Sequence, residues 1–524
     1  MDMTRRSLPT PAALASLALA TAATLLSGCT MATSPATGRT FMTNMSESDE
    51  AKVGAEEHPK ILEEFGGEYR EKPALNSYVA QVGTFVAKNA ERKDVKYTFT
   101  VLDSEEINAF ALPGGYVYVT RGLLSLANNE AEVAGVLGHE IGHVNARHTA
   151  ERAGQEQTAS IISSLGVAAA TLLGGQTLGQ MASGVAEQGS EIYLGQYSQS
   201  QEFEADSLGV RYITKASYDP QAMASFLDSL NNDTHLEAKL AGNAEAADAY
   251  SMKQSHPRTA DRVQRAIEEA KTPVTNPVTN RDRFLQQIDG MIWGADPRQG
   301  VVKGSTFIHP SLRFAFDAPK GMKLANAPDQ VVGKGKNAVM VFDLADAPPS
   351  GALTTYISNG WQKGAKVSDV QSFQVNGMEA ATGLAQASVS GTPVIVRLVA
   401  IRQSAKLVYR FLYATPPESF DAMDSSFLAS ARSFREIDAQ TAASFPPKRI
   451  RVITVAAGDT VSSLAQKMAV DEAKVDWFRV INHLPANASL QAGQKVKIVV
   501  AGNAAVSAMP QDGGSDGLLA ALNP

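Results

Sequence analysis

Apolar residues recur at helical spacing through the first half of the chain and give way to alternation in the second. Through Glu50–Phe65 and Pro73–Ala90 they fall three and four apart, with Leu75, Tyr78, Val79, Val82 and Phe85 on one face, which predicts two amphipathic helices. Tyr97–Val101 alternates and predicts a strand. Asn108–Leu112 and Tyr116–Thr120 flank Pro113-Gly114-Gly115, the pattern of a hairpin or bulge. Asn129 followed by Glu132 predicts a capped helix start, and Val133, Val136, Leu137, Ile141 and Val144 give that helix a buried face. Glu202–Thr214 and Gln221–Leu230 are helical in pattern, and a last helix from Thr259 or Ala260 through Ala270 closes the unit.

Thr272-Pro273-Val274-Thr275-Asn276-Pro277 punctuates the chain, so a domain over 46–275 and a linker over 276–300 are expected. Beyond it, Leu312–Phe316, Val339–Phe342, Val394–Ile401 and Leu407–Tyr413 are strand-like and Phe420–Phe434 is helical. These predict an α+β domain over 301–437 with an antiparallel sheet and no cluster of catalytic residues; His309 beside Pro310 is a structural histidine. A third unit over 451–500 runs strand, helix, helix, strand. Its Gly458-Asp459-Thr460 turn and closing Gly493-Gln494-Lys495 strand resemble the LysM module, which implies binding to peptidoglycan. Trp477-Phe478-Arg479 departs from the polar middle of that family, leaving glycan binding, protein contact and simple packing all open. Residues 501–524, rich in Gly, Ala, Ser and Asp, predict a disordered tail. The fold class is thus multidomain: a mainly α domain with a small β-sheet, an α+β domain, and a small βααβ module.

A chain of 524 residues accommodates these units, and a net charge of −7 removes the basic excess that nucleic acid would require. The N-terminus carries Arg5 and Arg6, an apolar run from Ala12 to Leu26, and Leu26-Ser27-Gly28-Cys29. This reads as a secretory signal over 1–28 whose last residues resemble the bacterial lipobox. Cys29 is the single cysteine, so no intramolecular disulfide is possible, and it stands where lipidation would consume it. A polar tether over 29–45 follows, and Thr30 rather than Asp implies sorting to the outer membrane, with the chain in the periplasm. Ile161–Gly175, apolar and small, is expected to be a mobile or surface-covering segment near the site described next, with membrane insertion the weaker alternative.

His139-Glu140-Ile141-Gly142-His143 places two imidazoles on one helical face with a carboxylate beside them, the requirement of a hydrolytic zinc centre with one zinc per chain. A third ligand is needed. His148 does not fit the spacing of the metzincin pattern and reads as a solvated or helix-end residue. Glu202 and Asp206 share a helical face: Glu202 would bind the metal while Asp206 accepts the spare N–H of a ligating histidine.

Asn108–Gly115, His139–His143, Glu202–Asp206, Tyr218-Asp219-Pro220 and Ser255-His256-Pro257 through Arg262 occur in an order that resembles the gluzincin peptidases, the family of HtpX, the type-one CAAX prenyl proteases and the periplasmic BepA-like enzymes. The resemblance spans about Ser46 to Ala270 and implies zinc, endopeptidase activity and Glu202 as third ligand. Glu140 is the expected general base. His256 and Arg262 would stabilise the oxyanion or touch substrate, and His256 could instead occupy the open metal position in a latent state. A peptide would add to the strand carrying Asn108, Ala109 and Phe110, next to Gly114 and Gly115. Sequence alone therefore points to a lipid-anchored zinc endopeptidase acting on unfolded or misassembled envelope proteins, with outer-membrane proteins or their assembly machinery as partners. Its rivals are a chaperone or assembly scaffold tethered to the cell wall and a peptidoglycan peptidase.

Overall fold

The computed structural model describes residues 30–155, 197–240, 242, 265, 268, 274–328, 330–346, 351–361, 366–389 and 392–502. The signal segment, Cys29, Ile161–Gly175, His256, Arg262 and the tail from residue 503 lie outside them.

The first unit begins with a hairpin, β1 (Thr30–Thr33) against β2 (Thr40–Thr43), in the stretch expected to be a tether. Phe41, Thr43 and Met45 are buried there, which polar composition alone does not reveal. Helix α1 (Glu47–Glu64) starts at Ser46, whose side chain and Asp49 form a reciprocal capping box. Helix α2 (Pro73–Ala87) opens on a proline, where the missing N–H costs nothing. Its apolar stripe is buried except at Phe85, which is exposed and meets Tyr218 edge-on.

Three strands, β3 (Thr98–Leu102), β4 (Ala109–Leu112) and β5 (Tyr116–Thr120), form a sheet in the order β3-β5-β4, parallel between β3 and β5 and antiparallel between β4 and β5. The turn between β4 and β5 needs glycine. Gly114 has φ of 81°, and a Cβ there would stand 2.7 Å from Cα of Ala51 in α1. A short helix, α3 (Arg121–Leu126), then leads into the central helix α4 (Glu130–Ala146), with α5 (Gln199–Lys215) and α6 (Gln221–Leu240) packed on it.

Residues 276–300, expected to be a linker, are structural. They hold helix α7 (Arg281–Ile288), whose Phe284, Leu285 and Ile288 are buried. Residues 290–293 then hydrogen-bond to the main chain of Lys448 and Ile450, at 2.8–2.9 Å, along the first strand of the last module.

That module consists of β17 (Lys448–Thr454), helices Val461–Gln466 and Lys474–Asn482, and β18 (Lys495–Ala501), the β-α-α-β plan of LysM. It shares one apolar core with the first unit: Leu464, Phe478 and Val496 lie in the same cluster as Leu137, Ile141, Tyr212 and Phe284. Trp477, which breaks the family's polar pattern, packs edge-on against Trp293 at 5.5 Å. Lys497 is wholly buried and donates from Nζ to the carbonyls of Ser125, Leu126 and Ala127 at 2.8, 3.2 and 2.6 Å, covering the orphan acceptors at the end of α3.

Between them, the α+β domain has a core of its own. Among the described residues its antiparallel sheet of seven strands is formed by β9 (Lys323–Asn326), β10 (Gln330–Lys334), β11 (Val339–Asp346), β12 (Val367–Val375), β13 (Met378–Val389), β14 (Thr392–Arg402) and β15 (Leu407–Thr415). A smaller sheet contains β6 (Val301–Lys303), β7 (Thr306–His309), β8 (Phe314–Asp317) and β16 (Arg435–Glu436), and helix α8 (Pro417–Arg432) buries Phe427 against the domain core. His309 is buried at the end of β7, where its Nδ1 accepts from the backbone N–H of Leu312 at 3.1 Å.

Candidate metal centre

Helix α4 is positioned from its first turn. The Asn129 side chain accepts from the backbone N–H of Glu132 at 2.9 Å, while Glu132 reaches back to the N–H of Asn128 rather than of Asn129. Glu130 accepts from Tyr78, Tyr218 and Asn280 at 2.7–2.8 Å, which accounts for the Tyr218-Asp219-Pro220 motif: its tyrosine anchors the start of this helix.

The spacing between α4 and α5 is set by small residues. A Cβ on Gly138 would lie 3.2 Å from the carbonyl of Gly209, one on Gly142 3.0 Å from the carbonyl of Ala205, and one on Gly209 2.9 Å from the backbone nitrogen of His139. Gly138 and Gly142 lie one turn apart on α4, as Ala205 and Gly209 do on α5, so the backbones approach closely. Only then can the short side chains of Glu202 and Asp206 reach across.

They reach the two histidines. Nε2 of His139 and Nε2 of His143 stand 3.0 Å apart, and the Glu202 carboxylate lies 3.3 Å from His143 Nε2 and 3.7 Å from His139 Nε2. A tetrahedral zinc with arms of about 2.0–2.1 Å has ligand–ligand edges of about 3.4 Å, which these three distances bracket. All three residues are buried, and theirs is the cluster among the described residues able to hold a metal ion. On the far side of His139, Nδ1 lies 2.9 Å from Asp206 Oδ1, a carboxylate behind a ligating imidazole. Burial drives the His143 imidazole well below its ordinary pKa, keeping it neutral and able to bind a metal. Glu140, between the two histidines in sequence, is buried on the same helix.

His148 is not solvated. It is wholly buried, its Nδ1 2.8 Å from Nδ1 of His143 and its Nε2 3.3 Å from Glu204 Oε2. The reason is local: Arg147 adopts the left-handed conformation, φ 62°, ends α4 and turns the chain back inward. Its guanidinium is taken by Glu50 at 2.8 Å, a partner 97 residues earlier that no local pattern announces. Tyr197 stacks on the His143 ring at 3.9 Å and was not singled out in sequence either.

The glycines of the expected substrate strand have structural work in the β4–β5 turn. Strand β4 lies at the edge of its sheet and is fully buried, and a small cavity lined by Ala111, Leu112, Pro113 and Gly114 also touches His143. Asn108 pairs through its main chain with Thr120.

Two histidines and a glutamate carried by antiparallel-packed helices, with a glutamate inside the His-x-x-x-His pair, define a gluzincin-type metallopeptidase domain. The chain carries an M48-family metallopeptidase domain and a C-terminal LysM domain: residues 73–270 match peptidase family M48 and residues 453–499 match the LysM domain. Among curated proteins it is 29% identical over 232 residues to a beta-barrel assembly-enhancing protease of Yersinia pestis, covering 43% of this chain and 45% of that one. The protein of the same name from Escherichia coli is 31% identical over 160 residues, 30% of this chain and 33% of that one. The mitochondrial metalloendopeptidase OMA1 of Schizosaccharomyces pombe is 27% identical over 238 residues, 45% of this chain and 65% of that one. The chain thus spans less than half the length of the two bacterial relatives.

Proposed function

We propose that the protein is a zinc-dependent endopeptidase that hydrolyses peptide bonds of unfolded or misassembled envelope proteins at the outer membrane. The observation that carries the reading is the buried donor set of His139, His143 and Glu202 with Asp206 behind it. The similarity to proteases that enhance beta-barrel assembly supports the substrate class.

Bound zinc would supply Lewis acidity, polarising a carbonyl and lowering the pKa of water. Glu140 accepts the proton of the attacking water and returns it to the leaving amine. Asp206 holds His139 with its Nε2 turned to the metal. His256 and Arg262 steady the oxyanion or the substrate. Once the buried edge of β4 is uncovered, an extended peptide pairs along it at Asn108, Ala109 and Phe110, where main-chain groups give affinity without sequence preference. Gly114 and Gly115 keep the adjoining turn compact.

Cys29 anchors the chain by lipid to the inner face of the outer membrane, and the LysM domain adds contact with peptidoglycan. No helix among the described residues is long and apolar enough to cross a membrane. The decisive experiment compares the wild type with Glu140→Gln for zinc content and for cleavage of an unfolded envelope protein, with new termini read by mass spectrometry. Cleavage by the wild type alone, with about one zinc in both, supports the reading. Absence of zinc, or equal cleavage by both, would overturn it.

A further inference from the structure

This inference rests on the zinc reading of the His139, His143 and Glu202 site and concerns what holds His143 in place. His143 turns Nε2 toward His139 and Glu202, at 3.0 and 3.3 Å, so that nitrogen must be unprotonated to ligate and the ring proton belongs on Nδ1. Nδ1 lies 2.8 Å from Nδ1 of His148. Two imidazole nitrogens at that separation share one proton, so His143 donates and His148 accepts with its lone pair. The proton of His148 then belongs on Nε2, which lies 3.3 Å from Oε2 of Glu204. Glu204 in turn accepts from Thr37 Oγ1 at 2.6 Å and from Arg39 Nε at 3.2 Å, so it is held as an ionised acceptor.

We propose that His148 is a positioning residue of the metal centre: it fixes His143 in the Nδ1–H tautomer with Nε2 presented to the metal, and Glu204 fixes His148 in the complementary tautomer. A histidine filling space would need only its volume. Here Nδ1 faces the His143 nitrogen at hydrogen-bonding distance and Nε2 lies 3.3 Å from the Glu204 carboxylate, inside a wholly buried ring. The two ligating histidines are consequently supported by different chemistry. His139 has a carboxylate directly behind it, whereas the carboxylate behind His143 is set back by one neutral imidazole. His139 is therefore the more strongly electron-donating ligand of the pair.

The test uses the full-length wild type, His148→Leu and His148→Asn. Zinc affinity is measured by chelator competition, the cobalt-substituted absorption spectrum reports ligand geometry, and the melting midpoint of each metal-free protein reports folding. Leucine, without an acceptor, is expected to weaken zinc about 10–100-fold, the usual loss for an outer-shell partner, and to shift the cobalt bands. Asparagine, whose Oδ1 takes the place of Nδ1, is expected to recover most of that loss. Equal affinity in the wild type and His148→Leu would overturn the proposal, as would equal losses in the two variants, which would reduce His148 to packing. A wild type that binds no zinc would instead overturn the metal reading and this inference with it. Independently of any variant, nitrogen-15 spectra of the zinc-bound wild type should show a proton on Nδ1 of His143 and on Nε2 of His148. A proton on Nδ1 of His148 would also overturn the proposal.

Discussion

The α-carbon of Gly209 packs so closely on the backbone of His139 that a methyl group there would stand 2.9 Å from the His139 nitrogen. A backbone atom cannot swing aside as a long side chain can, so Gly209→Ala must separate α5 from α4. Overpacking of this kind costs about 1–3 kcal/mol. The separation also draws Glu202 and Asp206 away from the two histidines, since all four depend on the same interhelical distance. Gly209→Ala is expected to lose zinc affinity by more than tenfold along with a lower melting temperature, whereas Ala at the open Gly242 or Gly304 positions should cost stability without touching the metal. Zinc titration of the three variants checks this.

Arg39, in the turn before β2, donates to both oxygens of Glu151 at 2.6 Å and to Glu204 at 3.2 Å, so one guanidinium joins two carboxylates on different helices. Burial alone would raise the carboxyl of Glu204; the neighbouring His148 ring, the hydrogen bond from Thr37 and the charge of Arg39 bring it down to about 2. Arg39→Ala leaves Glu151 and Glu204 without their shared cation. Because Arg39 is itself partly exposed, the expected loss of stability is modest, about 1 kcal/mol. Hydrogen exchange should show the β1–β2 hairpin opening in this variant, with slower zinc-dependent protection of helix α4; unchanged protection of the hairpin would count against the clamp.

Lys497 binds the LysM domain to the peptidase domain through three main-chain carbonyls just before the zinc helix. Burial pushes its ammonium well below the ordinary lysine pKa, yet its three donors match three acceptors. Lys497→Met keeps the aliphatic volume and strands those carbonyls, which should cost about 2–4 kcal/mol and lower Tm by roughly 5–10 °C. Since Leu464, Phe478 and Val496 share a core with Leu137 and Ile141, the two domains should melt together. Calorimetry that resolved a separate LysM transition would contradict the shared core.

How far the chain could be read in advance follows from which partners are local. His139, His143, Glu202 and Asp206 were legible because each pair is four residues apart on a helix and carries chemistry that few other patterns explain. Gly138, Gly142 and Gly209 were not, since a helical glycine reads only as a propensity cost until the opposing helix is known. His148 misled because Arg147-His148-Thr149 looks like a solvated helix end, and the residue that receives Arg147, Glu50, is far away in sequence. The α+β domain was visible through apolar strands such as β15, while β12 and β13, rich in Ser, Gln and Ala, gave little signal. Residues 276–300 resembled a linker for a similar reason: the main-chain bonds of 290–293 go to a strand about 160 residues later.

His309 offers a test of the α+β domain by pH. Burial lowers its pKa to about 4, because the charged ring would lose water and, on protonation of Nδ1, the hydrogen bond from the Leu312 N–H. The unfolded chain titrates near 6.5, so between those values the unfolded state binds more protons than the folded one. Stability therefore rises with pH across this window: the contribution is complete above about 6.5 and is lost as pH falls toward 4. A shift of this size corresponds to about 3 kcal/mol. His309→Asn keeps an acceptor for Leu312 and removes the titration, so it should lower stability by a constant amount at every pH. Hydrogen exchange in β7 and β8, corrected for intrinsic rates, should show the wild type losing protection between pH 6.5 and 4 by the proton-linked amount and His309→Asn not. Parallel profiles for the two proteins would mean that another group governs the acid sensitivity of this domain.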